Sequence, residues 1–353
     1  MKILYAVQAT GNGHISRAME ILPYLQCYGN VDIFLSGANS SLALQAPVKF
    51  RSKGVSLFYT CHGKLDYLKI FSSFAPGRLS KEVKELPVEN YDLVLNDFEC
   101  ITALACRYKK IPSVNFGHQA SFNSSKTPRP KNKSLLGEWI LKNYAAASFY
   151  VGLHFQQYDY FILPPVIKKE INEATPTDDK FIAVYLPSYC EHIMQKFFHS
   201  FPDYSFRIFS FETKEIKENK NITFLPVGKA LFNDALIHCT GIITGAGFET
   251  PAEALRLGKK LMIIPIKGQY EQQCNAAALE KMGINNTNGL NDEFKNQFYR
   301  WIQSEKPSPA DYSHSTEDII NRMMKLSMAY LAETKDFSQS GISPDNSFPF
   351  SIL

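Results

Sequence analysis

The chain lacks most of the features that mark secreted, membrane-spanning or nucleic-acid-binding proteins. Its 353 residues include seven cysteines, an odd number, with no C-x-x-C pair. That spacing excludes a disulfide framework and leads us to expect a reduced protein in the cytoplasm. No apolar run reaches the roughly 18 residues needed to span a bilayer. Only Lys2 precedes the first apolar run and no small-residue cleavage site follows it, so a signal peptide is not expected. The net charge of +4 is too small an excess to argue for nucleic acid. No short-period repeat is present. A dinucleotide fingerprint is also incomplete: in "GNGHIS" the third glycine position is Ser16, and "FLSGANS" offers no acid for a ribose.

What is present suits a soluble α/β protein. Hydrophobic residues make up 45% of the chain and charged residues 20%. That composition and the length fit two domains with real cores. "KILYAV", "VDIFLSG", "VSLFYT", "YDLVLND" and "PSVNFG" read as strands, with helices such as "SRAMEILPYLQCY" and "CITALACRYKK" between several of them. The alternation implies a mostly parallel sheet covered on both faces. It restarts with "KFIAVYL", "YSFRIFS", "ITFLPV", "GIITGAG" and "KLMIIPI". The boundary falls at "YFILPPVIKKEINEATPTDD", whose paired prolines and polar run suit a linker. We therefore expect a domain over residues 1–157, a linker over 158–178, a second domain over 179–335, and an irregular tail over 336–353. Two such halves imply a cleft, a common place for small-molecule sites.

The loop "ATGNGHISRAMEI" presents one candidate. Gly11 and Gly13 allow a sharp turn at the carboxyl end of the first strand, where ligands of open α/β sheets sit. His14 then projects over that edge and can take a proton near neutral pH; its other reading is a helix cap or a filler of a polar gap. Asp97 ends the strand "YDLVLND" on the same edge. It can orient the imidazole and stabilise its protonated form, or it can serve, with Asn96, as an ordinary N-cap. His118, in "NFGHQASF", follows another strand end; it is either a ligand-binding or a structural histidine. His62 in "TCHGK" carries a weaker signal.

The second half carries the denser motif, "CTGIITGAGFETPAEALRLGKKLMIIPIKGQYEQQCNAAALEKMG". Its glycines permit close backbone approach. Thr250 and Pro251 read as the cap and first turn of a helix whose free N–H groups suit an anion. Glu253 is placed to accept from ribose hydroxyls, and Glu271 and Gln272 sit where a sugar could be read. The plainer alternative is a strand–helix–strand unit with a glycine turn.

The motif resembles the donor-binding region of GT-B glycosyltransferases, the superfamily that includes the lipid-linked N-acetylglucosamine transferase of peptidoglycan synthesis, galactolipid synthases and UDP-dependent transferases. Within it, the chain is most similar to an archaeal and bacterial group. The resemblance rests on Gly245-Ala246-Gly247, Thr250, Glu253, "GKKLMIIP" and "QYEQQCNA", and on "GNGHISRAMEI" in the first half. It implies two Rossmann-like domains facing each other across a cleft, the first binding acceptor and the second nucleotide-sugar. It further implies His14 as general base with Asp97 as partner, Gly245, Gly247 and Thr250 at the diphosphate, Glu253 at the ribose, and Glu271 and Gln272 at the sugar. Ser188 matches a phosphate-contacting position, and "FLPVG", with Val227, the loop packing on the base. Gly11, Gly13 and His118 fall on the acceptor or pyrophosphate side.

The chain departs from the pattern in two places. A histidine common in the UDP-dependent branch is Gly245 here, and a common glutamine is Val227, which leaves the base open. No D-x-D motif occurs, which fits metal-free, inverting transfer by a hexosyltransferase with no cofactor. The alternatives are a non-hydrolysing nucleotide-sugar 2-epimerase and a non-catalytic sugar-nucleotide-binding protein. "SSKTPRPKNKSLLGEWILKNYAAASFYVGL" adds Lys126, Arg129, Lys131 and Lys133 beside an apolar stretch with Trp139. It reads either as a headgroup-level contact for a lipid-linked acceptor, with weak peripheral membrane binding, or as a solvated loop before a helix whose Leu135, Leu136, Trp139 and Ile140 face the core.

Overall fold

A computed structural model describes residues 1–37, 40, 42, 44–54 and 75–340, the last six by backbone alone. The expected strand "VSLFYT", His62 and residues 341–353 of the expected tail lie outside the described residues.

Two seven-stranded sheets form the architecture. The first contains β1 (Lys2–Gln8), β2 (Asn30–Ser36), β3 (Phe50–Ser52), β4 (Leu93–Asp97), β5 (Val114–Gly117), β6 (Phe149–Leu153) and β7 (Ile162–Leu163), in the order β3-β2-β1-β4-β5-β6-β7. The second contains β8 (Phe181–Tyr185), β9 (Ser205–Ser210), β10 (Lys217–Asn219), β11 (Ile222–Pro226), β12 (Gly241–Thr244), β13 (Lys260–Ile263) and β14 (Asn285–Asn286), in the order β10-β11-β9-β8-β12-β13-β14. Every described pairing is parallel except β10 with β11. The period of two sorts each central strand between two cores. Ile3, Tyr5 and Val7 of β1 join one hydrophobic cluster while Leu4 and Ala6 join another. In β8, Phe181 and Ala183 face the same large cluster as β1, and Ile182 and Val184 face an aromatic layer that includes Phe198, Phe206 and Phe298. One continuous core thus runs from the first sheet to the second.

Six helices position the site: α1 (Asn12–Gln26), α2 (Cys100–Lys109), α3 (Leu135–Asn143), α4 (Glu249–Arg256), α5 (Tyr270–Lys281) and α6 (Thr316–Ser340). Helix α1 starts earlier than the sequence pattern suggested, so His14 lies in its first turn. The helix also carries Pro23 in its interior. Helix α6 belongs with the first sheet: Tyr330 stacks on Phe149 of β6 at 4.9 Å, and Tyr28 bonds Asn321. The sequence pattern places residues through 335 in the second domain and irregular structure from 336 onward. Instead the chain crosses back, and the helix continues to Ser340. The stretch read as a linker begins with β7, the edge strand of the first sheet.

Among the described residues Cys27, Cys100, Cys106, Cys239 and Cys274 are free thiols, while Cys190 is disulfide-bonded, against the expectation of a wholly reduced chain. No helix among the described residues is long and apolar enough to cross a membrane.

Helix α3 ties the first domain to α5 of the second. Tyr270 donates to Glu138 at 2.7 Å, and the Tyr270 ring lies against the backbone of Gly137. A Cβ at Gly137 would fall 2.3 Å from Tyr270 Cγ, close to the root of that side chain, where it cannot swing aside. Gly137→Ala is therefore expected to lower stability by about 1–3 kcal/mol, read as a fall in the denaturation midpoint.

Candidate active site

The parallel register explains how the two halves of the His14 loop meet their partners. Val7 of β1 pairs with Asp97 of β4, so the turn after β1 and the end of β4 share one sheet edge. Gly11 caps α1 at φ 96°, a conformation that suits glycine. His14 Nδ1 then stands 3.0 Å from Asp97 Oδ1. His14 Nε2 has no protein partner among the described residues, and the ring lines a cavity of about 500 Å³ between the domains.

The alternative reading of Asp97 as a helix cap does not hold. Glu99 caps α2, accepting from Ile101 N at 2.8 Å and Thr102 N at 2.6 Å. Asn96 braces that turn by bonding Glu99 N and O at 2.7 Å each. Phe98, at φ 55°, turns the chain between them. Asp97 is left fully buried and committed to the site.

Sequence reasoning missed Arg17, although its spacing from His14 puts the two on one helix face. Its Nη2 donates to both Asp97 oxygens, at 2.6 and 2.8 Å, and lies 3.1 Å from His14 Nδ1. Its Nη1 forms an ion pair with Glu249, the first residue of α4 and so part of the other domain. Burial alone would raise the Asp97 carboxyl, but the Arg17 charge, followed by His14, outweighs it and holds it below its ordinary value. Glu249 goes the other way: burial pushes it up to about 7 against the pull of Arg17, with Glu253 and Asp97 adding to the rise.

Of the residues expected on the donor side, Val227, Gly247, Thr250, Glu253, Glu271 and Gln272 line the same cavity, and Gly245 and Ser188 do not. Helix α4 begins at Glu249 with Phe248 at its N-cap, so Thr250 lies inside the first turn and caps nothing. Thr250 and Gly247 line the cavity, and a Cβ at Gly247 would meet nothing within 4 Å, leaving its backbone open. Gly245 lies behind it against Gln272, outside the lining. Gln272 holds the loops in place through Oε1, which accepts from Ala246 N and Ile266 N at 3.2 and 2.9 Å. Glu253 is buried and ion-paired with Lys168 at 3.0 Å, a cation supplied by the expected linker. Glu271 accepts from Gln119 of the first domain at 3.1 Å.

Val227 lines the cavity together with the aromatic residues Tyr185, Phe211 and Phe232, an apolar part of its wall. Ser188 is buried in the turn after β8, next to Pro187 but outside the lining. His118 is wedged between the domains. It stacks on Phe248 at 4.0 Å, and its nitrogens face Leu153 O at 3.0 Å and Asn275 Oδ1 at 2.7 Å. Burial lowers its pKa. Gly11 and Gly13 lie on the opposite wall.

A general-base candidate therefore shares one cleft with a helix start and an apolar stretch of wall. Residues 1–302 match the family profile described as glycosyl transferase family 1. The chain is a glycosyltransferase of that family. No curated protein matches the sequence of the transferase. Its fold is similar to that of the spinosyn forosaminyltransferase SpnP, at 14% identity and TM-score 0.57, covering 93% of this chain and 99% of that one. It is also similar to MurG of Acinetobacter baumannii, at 15% identity and TM-score 0.53, covering 92% and 99%. A third is Arabidopsis thaliana UGT89C1 in complex with UDP, at 10% identity and TM-score 0.52, covering 93% and 94%. At such identities the likeness is one of fold alone, the two-domain GT-B fold.

Asp97 is the buried counter-charge of Arg17, and removing it strands a guanidinium. Asp97→Ala is expected to cost about 3–5 kcal/mol in urea unfolding at pH 7. Because the folded-state pKa of Asp97 is depressed, its contribution is present above the ordinary aspartate value. It is lost as pH falls through the lowered one, so wild type and variant should converge in strong acid.

Proposed function

We propose that the transferase moves a sugar from a nucleoside-diphosphate-sugar, a UDP-sugar in the first instance, to an acceptor hydroxyl with inversion. His14 takes the hydroxyl proton on Nε2 while Asp97 fixes its tautomer through Nδ1. The observation that carries this reading is the 3.0 Å contact between His14 and the buried Asp97 at a cavity wall facing the start of α4. Gly247, Thr250 and the α4 amides receive the diphosphate, and the helix start supplies the positive end that a bound cation would otherwise provide. Glu253 is positioned at the ribose, with Gln272 and Glu271 toward the sugar. The apolar part of the wall at Val227 takes the base. No metal or cofactor is required in this scheme.

The test is a turnover screen in the presence of EDTA with UDP-, dTDP- and GDP-sugars. His14→Ala is expected to lose about 10²–10⁴-fold in rate while its affinity for UDP by calorimetry stays near wild type. Wild-type turnover in His14→Ala would remove the base assignment, and UDP binding without turnover in wild type would favour a silent binding module.

We place the reaction at the cytoplasmic face of a membrane, with an amphiphilic, lipid-linked acceptor. Helix α3 supports this. Leu135, Leu136 and Trp139 are 87%, 66% and 61% exposed, so the core-facing alternative for this helix does not apply. Lys131, Lys133 and Lys142 stand exposed around them. Of the other basic residues, Arg129 is held by Glu138 at 2.6 Å and Lys126 by Asp159 at 3.2 Å. An apolar face accompanied by exposed lysines suits an anionic headgroup layer. In liposome co-sedimentation, wild type is expected to pellet with anionic vesicles at low salt and less at high salt. Leu135→Ser/Trp139→Ser should stay in solution. Failure of wild type to sediment at low salt would make a soluble acceptor the default.

A further inference from the structure

The Arg17–Glu249 ion pair has no part in the scheme above, yet its guanidinium lies 3.1 Å from His14 Nδ1. Asp97 and Arg17 face each other at 2.6 and 2.8 Å, so their formal charges cancel. A proton arriving on His14 would then stand beside a guanidinium 3.1 Å away with no negative charge in excess. Like charges this close in a buried site repel strongly. Ionised Glu249 changes the sum: Arg17, Asp97 and Glu249 together carry one net negative charge, and a protonated His14 brings the cluster to neutrality.

We infer that Glu249, acting through Arg17, is the group that lets His14 accept a proton, and that it does so only while the two domains are apposed. The functional meaning rests on His14 as the base. Glu249 has no hydrogen bond to the imidazole, so it is a positioning residue. The apposition is built in: Arg17 and His14 come from α1, Asp97 from β4 and Glu249 from α4. Gly13 lets the two helix starts approach, since a Cβ there would lie 3.3 Å from Glu249 Cγ. An acid at a helix start is ordinary in itself. This one is only 14% exposed and is turned onto an arginine that is 3% exposed.

The groups facing Glu249 are Arg17 and His14 on α1, Asp97 on β4, Tyr5 on β1 and Glu253 on its own helix. With its carboxyl pushed up to about 7, Glu249 supplies its charge above that pH and withdraws it below. The cluster's capacity to take up a proton therefore weakens as the solution becomes acidic.

The experiment needs no substrate. The ring signals of His14 in full-length protein, labelled at histidine and assigned by their loss in His14→Ala, are titrated by NMR in wild type, Glu249→Gln and Glu249→Asp. Glutamine keeps the shape and can still accept from Arg17, so only the charge is removed. The His14 signals of Glu249→Gln should titrate at lower pH than those of wild type. Glu249→Asp, which retracts the charge by one methylene, should move them in the same direction by less, and it decides the matter if Glu249→Gln does not fold. Superimposable titrations overturn the inference. A purely structural Glu249 would shift the melting temperature and leave the titration where it was. The two claims also fail separately. An inactive His14→Ala with an unchanged titration removes only the role of Glu249. A fully active His14→Ala removes the base and leaves the charge coupling to be judged by the titration.

Discussion

A guanidinium out of reach of water has to be surrounded by carboxylates, and the site is organised around that requirement. Arg17 meets it with one acid from its own domain and one from the other. For Asp97 to be available, the chain must leave β4 without using that carboxylate as a cap. The left-handed Phe98 and the Glu99 cap accomplish this. For Glu249 to be available, α4 must begin one residue before Thr250, with its start pressed toward the start of α1. Breaking a buried pair of this kind costs more than the pair contributes relative to an apolar substitute. The geometry is therefore defined sharply even though the net gain in stability is modest.

The same pattern recurs one turn further along α4. Glu253 is paired with Lys168, which arrives from the segment joining the two domains. Each acid of α4 is thus matched by a cation from outside the second domain. Both carboxylates of α4 are turned aside onto those partners. In the proposed scheme a diphosphate at the α4 start would meet backbone N–H groups and the open backbone of Gly247.

Much of this was legible in the sequence, because parallel strands deliver their carboxyl ends to one edge. Strand-final Asp97 and the loop after β1 had to converge, and the glycine-rich turn after β12 had to face them once a second sheet was inferred. What escaped was tertiary. Arg17 stood at the right spacing from His14 but resembled any charged residue on a solvated helix. Lys168 lay in a polar, proline-rich stretch that gave no hint of reaching a buried acid. Thr250 followed by proline is a sound cap signal, and Phe248 took the position because the start of α4 is fixed by packing between the domains. The apolar spacing in α3 was ambiguous for a physical reason: periodicity identifies a face, and only the rest of the fold decides whether that face is covered.

The return of α6 has a mechanical consequence. The chain passes between the domains twice, once after β7 and once in the segment where Ala310 bonds Leu255 of the second domain at 2.8 Å and Tyr312 bonds Phe155 of the first at 2.7 Å. The described chain therefore starts and finishes in the same domain. The other is tied to it at two crossings as well as through the core they share, so slackening one connection alone would not release it.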